Sequence, residues 1–375
     1  MAGTRLAAPL LALKLGYGAL SVGCLLALYS LMQVFLAIPA GRYADQHGLK
    51  RPVGMALVFA VTGALLAAVF PRFEVLCLSA LCTGGATGSA SIALQRHVGR
   101  AAHDATELKR VFSWLSIGPA VSNFLGPVMA GLLIDHAGAW WGGAVADIIG
   151  FRMAFLAMAL LPMLTWLWIR HTDELPPVSH AAGAPRPRVW HLLREPSMRR
   201  LLLVNWLLSS CWDVHTFVVP VLGHERSFSA SVIGAILGSF AIAAACVRVA
   251  MPLLAAHLKE WVVVSCAMLI TGSLFALYPL MQTSLAMGCC SVLLGLALGS
   301  VQPMIMSTLH QITPHALHGQ ALGLRLMSIN LSSVLMPLLF GTAGMVVGVS
   351  VVFWTVGAAV ALGSRVAWHV RPAGL

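Results

Sequence analysis

Eleven runs of about twenty apolar residues, separated by short charged loops, leave this chain few ways to fold. They fall near 20–40, 52–70, 74–97, 110–134, 152–169, 201–222, 231–256, 261–281, 285–309, 317–342 and 347–368. A helix needs about 20 residues to cross ~30 Å of hydrocarbon. With no water in that layer, every backbone polar group must be paired inside the span. The expected fold class is therefore an all-α polytopic membrane protein. Composition agrees, since 59% hydrophobic and 9% charged residues, with a mean hydropathy of +0.88, would leave a soluble fold of 375 residues without enough polar surface. The net charge of +11 does not point to nucleic acid, because the basic residues lie in short loops rather than in a stripe with aromatic partners. Residues 4–18 form a further apolar stretch, too short to cross and interrupted by Arg5 and Lys14.

An internal repeat orders these spans. Gly84, Gly88 and Ser89 recur 211 positions later as Gly295, Gly299 and Ser300; Gly23 recurs as Gly234 and Pro9 as Pro220. Pro127 and Gly131 recur at an offset of 210 as Pro337 and Gly341. Two copied halves are what transporter folds built from repeats contain. With the short first stretch counted as a helix, the halves are residues 1–170 and 199–375, six helices each, joined by a proline-rich cytoplasmic linker at 171–198. The seventh helix starts near Leu201, whose counterpart would precede residue 1, so the first helix is expected to be truncated at its N-terminus. A signal peptide is the weaker reading, because Lys14 breaks the apolar region and no small-x-small site follows.

Charge sets the orientation. Eighteen of the 23 Lys and Arg residues fall on one side of these spans, the other five being Arg5, Lys14, Arg72, Arg152 and Arg226. Positive loops stay inside. Both termini are thus expected in the cytoplasm, in a plasma membrane of the bacterial inner type. The outer loop from His136 to Gly150, with Trp140 and Trp141, is expected at the interface.

The stretch GRYADQHGLKRPV, Gly41–Val53, reads as a tight cytoplasmic turn between two spans. Gly41, Asp45, Gly48, Lys50 and Arg51 give it a pattern that resembles the signature between the second and third helices of the major facilitator superfamily, with Gln46 and Leu49 where that family has basic residues. The resemblance extends over the whole chain. It implies a secondary transporter with two pseudo-symmetric six-helix halves that rock around a midplane site, and an Asp45 that latches them on the cytoplasmic side. Thr313 and Pro314 read as the start of the eleventh helix, Thr as cap and Pro in the first turn, whose free amides and dipole would hold that carboxylate. Gly126, Pro127 and Gly131 partly resemble the Gly-Pro signature of the superfamily's antiporters, with Ser122 and Ala130 replacing two usual glycines. That implies export by antiport.

Ionisable groups inside spans are the candidates for chemistry, because burying them costs several kcal/mol unless they serve or pair. Asp213 lies mid-span, with Asn205, Ser209, Thr216 and Pro220 on its face. It is expected to carry a proton or hold a cationic substrate; the alternative is a structural tie to a neighbouring helix. His215, two residues on, points elsewhere. Arg248 and Arg325 either snorkel to the headgroups or serve the site, and Arg325, with Ser328 and Ser332 on its face, could fork onto a carboxylate substrate. Gln302 before Pro303 reads as a local helix break lining the pathway, or as a packing kink. Gly84 with Gly88, and Gly295 with Gly299, have the spacing that lets helices approach closely.

The eight cysteines lie in spans and read as small apolar residues, and His310, His315 and His318 lack an accompanying carboxylate or cysteine at ligand spacing. No cofactor, no metal and no catalytic constellation is expected. The expected function is proton-coupled export of a drug-like or small organic compound, with the bilayer, a small solute and protons as partners. Alternatives are an organic-anion transporter or uniporter using Arg325, and a non-transporting receptor or scaffold of the same fold.

Overall fold

The computed structural model describes residues 1–17, 19–137, 146–175, 189–228, 230–255 and 258–370. Twelve α-helices run through them: α1 Ala2–Lys14, α2 Ala19–His47, α3 Lys50–Val69, α4 Phe73–Ala101, α5 Ala105–His136, α6 Ala146–Ile169, α7 Pro196–Glu225, α8 Ala230–Leu254, α9 Glu260–Leu277, α10 Ser284–Ile312, α11 His318–Val347 and α12 Val349–Trp368. Val189–Arg194, Tyr278–Leu280 and His315–Leu317 form 3₁₀ turns, and no strand occurs among the described residues. Ten of the helices are long and apolar enough to cross a membrane. Helix α1 has 13 residues, below the spanning length. Trp140, Trp141 and most of the linker, including Pro176, Pro177, Pro185 and Pro187, lie outside the described residues.

The chain forms two compact units. The first comprises Met1–His97, Gly118–Pro185 and Ala316–Asn330, and the second Val98–Ile117, Arg186–His315 and Leu331–Leu375. Helices α4, α5 and α11 each contribute to both. In the first unit, Leu11 and Ala12 of α1 pack with Leu25 and Tyr29 of α2, Leu76 and Ala80 of α4, and Phe155 of α6. The Tyr29 hydroxyl donates to the Thr4 carbonyl at 3.1 Å, which satisfies the one polar atom of a fully buried ring. In the second unit α8 packs on α10 and α9 on α12.

Lipid tails are as apolar as leucine, so helices here gain little by hiding apolar surface from each other and depend on close contact instead. The glycines supply it. A Cβ at Gly84 would stand 2.9 Å from the Tyr29 Cα, and one at Gly88 would meet the Gln33 side chain at 3.2 Å. In the second unit a Cβ at Gly295 would lie 3.1 Å from the Phe240 carbonyl carbon, and one at Gly299 would lie 2.7 Å from the Ala244 Cα. Tyr29 and Phe240, like Gln33 and Ala244, are 211 positions apart, the same offset that relates the glycines. The repeat is therefore one of contacts as well as of residues. Gly126 makes a similar approach to α1, a Cβ there falling 2.9 Å from the Gly3 amide nitrogen, whereas Gly131 has open space around it.

Two expectations need correction. The Gly41–Val53 segment is not a loop: α2 continues through Gly41, Arg42 and Asp45 to His47, and only Gly48 and Leu49 separate it from α3. Gly48 takes φ +74°, the left-handed region that glycine enters freely. Two helices close end to end leave no span for a longer loop. The free amides of Leu49 and Lys50 donate to Glu174 Oε1 at 2.7 and 3.0 Å, so a residue just after α6 caps the start of α3. Nor does Gln302–Pro303 break its helix, since α10 runs unbroken from Ser284 to Ile312. One proline removes a single N–H from a helix of 29 residues, too little to interrupt it.

The glycine contacts make a paired prediction. Gly84→Ala should destabilise the detergent-solubilised protein by about 1–3 kcal/mol, the usual range for overpacking. Gly131→Ala should leave the thermal melting curve unchanged or raise it slightly, alanine being the better helix former. Equal effects of the two would remove close approach as the reason for glycine at 84.

Candidate functional site

The last turns of α2 carry Asp45, 3% exposed, with Arg96 of α4, 2% exposed, beside it. Arg96 Nε donates to Asp45 Oδ1 at 2.7 Å, and its Nη2 donates to the Asp45 carbonyl at 3.2 Å. The other donors are backbone. Gly319 N–H donates to Oδ1 at 2.8 Å and Gln320 N–H to Oδ2 at 3.0 Å. These belong to the first turn of α11, where amides have no partner inside the helix and the dipole favours negative charge. A Cβ at Gly319 would fall 2.8 Å from Asp45 Oδ1, and one at Gly41 would collide with the Gly319 carbonyl. One turn on, Gly323 lies against the Ala37 carbonyl. Helices α2 and α11 thus meet backbone to backbone, and that brings the carboxylate within reach of the amides.

The carboxylate goes to the expected helix, which starts at His318, where the apolar run begins, and not at the Thr313–Pro314 cap. Thr313 is the C-cap of α10, with extended φ −106° and ψ 134°, rather than the N-cap of α11. Pro314 and the 3₁₀ turn at His315–Leu317 follow, and α11 begins at His318. Arg96, read from sequence only as one more inside cation, is the partner that was missed. Its signal is faint, an Arg near the end of an otherwise apolar helix.

A related cluster occupies the second unit. Glu260, buried at the start of α9, accepts from Ser307 Oγ at 3.0 Å and Gln311 Nε2 at 2.9 Å, and Lys109 Nζ of α5 lies 3.7 Å away. The same ammonium donates to the Leu258 carbonyl at 2.7 Å. Ser307 follows Arg96 by 211 residues and Gly319 follows Lys109 by 210, the two offsets of the repeat. A buried acid thus meets the same two structural positions in each unit, with different donors. Nothing resembling Gly41–Arg51 surrounds Glu260, so sequence reading passed it by.

Asp213, 9% exposed in the middle of α7, accepts from Ser332 Oγ at 3.3 Å and Ser333 Oγ at 3.5 Å on α11. Ser332 also meets Ser210 Oγ at 3.3 Å. Among the described residues no cation pairs with Asp213. Of the stripe read around it, Asn205 is buried, Ser209 and Pro220 are half-buried, and Thr216 is exposed and donates back to the Trp212 carbonyl. Ser332 was noticed in sequence only as a neighbour of Arg325, and Ser333 not at all.

His215 turns toward α10, its Nε2 2.9 Å from Ser291 Oγ, which in turn is 2.8 Å from the Tyr278 hydroxyl. The imidazole stacks on Phe240 at 4.1 Å, and Phe240 meets Trp212 edge-on at 4.6 Å. Arg248 of α8 does not lie out among headgroups: it is 8% exposed, with its guanidinium 5.6 Å from the Trp212 ring. Its Nε has no hydrogen-bond partner among the described residues. Arg325 is buried in α11, and Gln302 is half-buried in α10. Asn330 donates to the Leu326 carbonyl of its own helix at 2.9 Å. Pro337 lies on the α11 backbone, with its side chain outside the described residues. Among the described residues no group of His, Cys, Asp and Glu could hold a metal.

The Asp45–Arg96 pair yields a stability prediction. Asp45→Asn leaves a buried guanidinium without its counter-charge and should cost on the order of 3–5 kcal/mol. Adding Arg96→Met should recover part of that loss, and additive melting shifts in the double variant would show that the two side chains do not depend on each other.

Comparisons with known proteins agree on one family. The profile of the Major Facilitator Superfamily matches residues 1–337 and, a second time, 201–374. Two relatives are the class H tetracycline resistance protein of Pasteurella multocida, 29% identical over 154 residues, and the class B protein of Escherichia coli, 28% identical over 154 residues. Each match covers 40% of this chain and 35% of the relative, so the matched segment spans about a third of their length. Among solved structures, the human organic anion transporter MFSD10 (TETRAN) superposes with a TM-score of 0.74 at 18% identity, covering 97% of this chain and 89% of that one. A bacterial homologue of the iron transporter ferroportin gives 0.73 at 17% identity, covering 98% of each chain. FucP, a transporter of the same superfamily, gives 0.74 at 13% identity, covering 98% of this chain and 97% of that one. At such identities the likeness is one of fold. The profile, which spans the chain, carries the assignment: this protein belongs to the Major Facilitator Superfamily, a family of membrane transporters and not of enzymes.

Proposed function

We propose that the protein is a proton-coupled secondary transporter that exports a small organic, drug-like solute across a bacterial inner membrane, with both termini in the cytoplasm. Its two halves, residues 1–170 and 199–375, alternate access to a midplane site, and residues 171–198 link them on the cytoplasmic side. One observation carries the coupling. Asp213 sits in a spanning helix and has neutral hydroxyls, Ser332 and Ser333, as its partners among the described residues. A carboxylate that faces a permanent cation stays ionised, whereas one that faces hydroxyls can take and release a proton or meet a cationic solute. Similarity to tetracycline resistance proteins supports tetracyclines as the first solutes to test.

Asp45 has the mechanical role. Its bonds to Gly319 and Gln320 tie α2 to the start of α11, a helix that belongs by repeat to the second half. Those bonds hold the cytoplasmic side closed, and their release accompanies opening.

A second reading has its own observation. Arg248 is buried over Trp212, with an unbonded Nε among the described residues, and could fork onto an organic carboxylate against that ring. Arg325 would serve the same class of solute.

In proteoliposomes with an imposed pH gradient, the wild type should move tetracycline or a lipophilic cation. Asp213→Asn should abolish the gradient-driven flux while leaving solute exchange at equal pH. Flux that persists in Asp213→Asn and disappears in Arg248→Gln would replace the first reading by the second. Binding without flux would make the protein a receptor.

A further inference from the structure

At the end of the first unit where α2, α3 and α6 finish or begin, an open groove of about 440 Å³ is lined by Tyr43, Lys50, Arg51, Phe59 and Trp166, with Gly54, Met55 and Val58 along its wall. Its two ends differ in chemistry. Arg51, Met55, Val58 and Phe59 follow the spacing of one helical face, so a stripe on α3 runs about 12 Å from a guanidinium to an aromatic ring. Met55, Val58 and Phe59 are exposed on the protein surface, although each is apolar. Gly54 opens the groove, since a Cβ there would meet the Trp166 ring at 3.2 Å. Tyr43, stacked on His47 at 4.2 Å, and Trp166, four residues before Arg170, mark headgroup depth, where such rings gather. The two cations therefore lie at the water boundary and the apolar stripe reaches down into the tails.

Lys50 and Arg51 have no ion-pair partner among the described residues. The nearby carboxylate, Glu174, is engaged with the amides of Leu49 and Lys50. We propose that this groove is a binding site for an anionic phospholipid, with its phosphate between the Lys50 and Arg51 side chains and an acyl chain along Met55, Val58 and Phe59. The occupant follows from the juxtaposition. Two cations above an apolar channel complement an acid headgroup on a hydrocarbon tail, whereas an amphipathic peptide or a soluble phosphate would match only one half. The site is distinct from the proposed solute site, because it opens on the exposed face of α3 and uses none of Asp213, Arg248 or Arg325.

The test is native mass spectrometry of the full chain, released from detergent with equimolar phosphatidylglycerol and phosphatidylcholine of identical acyl chains. Wild type should retain phosphatidylglycerol preferentially. The double variant Lys50→Gln, Arg51→Gln should lower that preference roughly tenfold or more, since each cation near the surface adds to anionic lipid binding. Lys50→Arg, Arg51→Lys should keep it, as should Arg42→Gln, Arg170→Gln, which removes two exposed cations outside the groove. Glycerol 3-phosphate in excess should not displace the bound lipid. Equal retention of both lipids by the wild type, an unchanged preference in the Gln variant while it stays monodisperse, or displacement by glycerol 3-phosphate would each overturn the proposal.

Discussion

Backbone-to-backbone approach is the constraint on which this structure rests. In water, a leucine stripe would drive helices together; in lipid the same stripe is satisfied by tails, and association rests on contact and polar pairing. Gly84 on Tyr29 and Gly295 on Phe240 therefore help fasten each unit, despite contributing no side chain. The same logic brings Gly41 against Gly319 and Ala37 against Gly323, and there the consequence is chemical as well as structural. Once α2 and α11 touch, a side chain as short as aspartate reaches two main-chain amides.

The repeat preserves position while changing the donor. At the α4 position the first unit uses Arg96, and at the matching α10 position the second uses Ser307. At the α11 position the first uses the Gly319 amide, and at the matching α5 position the second uses the Lys109 ammonium. At these two positions one cation and one neutral donor meet a buried acid. Electrostatic balance is kept although the cation has moved from one helix to the other, as a counter-charge stabilises a buried carboxylate from either address.

The fold was legible because lipid imposes it: spanning length, loop charge and the 211-residue offset together gave helix order and repeat before any contact was known. Asp45 at the head of α11 was legible too, since a carboxylate and a helix start complement each other at sequence level. Its partner Arg96 was not, because a residue at the end of an apolar helix looks the same whether it snorkels or pairs. Thr313 was misread as the cap of α11 for a related reason. Thr-Pro suits a helix start, but it equally suits the exit from the preceding helix, and only the geometry of Thr313 distinguishes them. Gly131 looked like Gly126 in sequence, yet one stands in open space and the other against α1.

The buried carboxylates divide by what they face. Asp45 has a guanidinium at 2.7 Å and two amides at 3.0 Å or less, and Glu260 has an ammonium and two neutral donors. Both are held by a cation and by neutral donors from neighbouring helices, which suits parts that hold helices together. Asp213 has two hydroxyls at 3.3 and 3.5 Å, and each hydroxyl can turn to accept as readily as it donates. A serine pair of that kind can bond a neutral or an ionised acid alike. Within one chain, the same functional group thus fastens helices where a fixed cation faces it and, in the proposed transport cycle, exchanges a proton where only hydroxyls do.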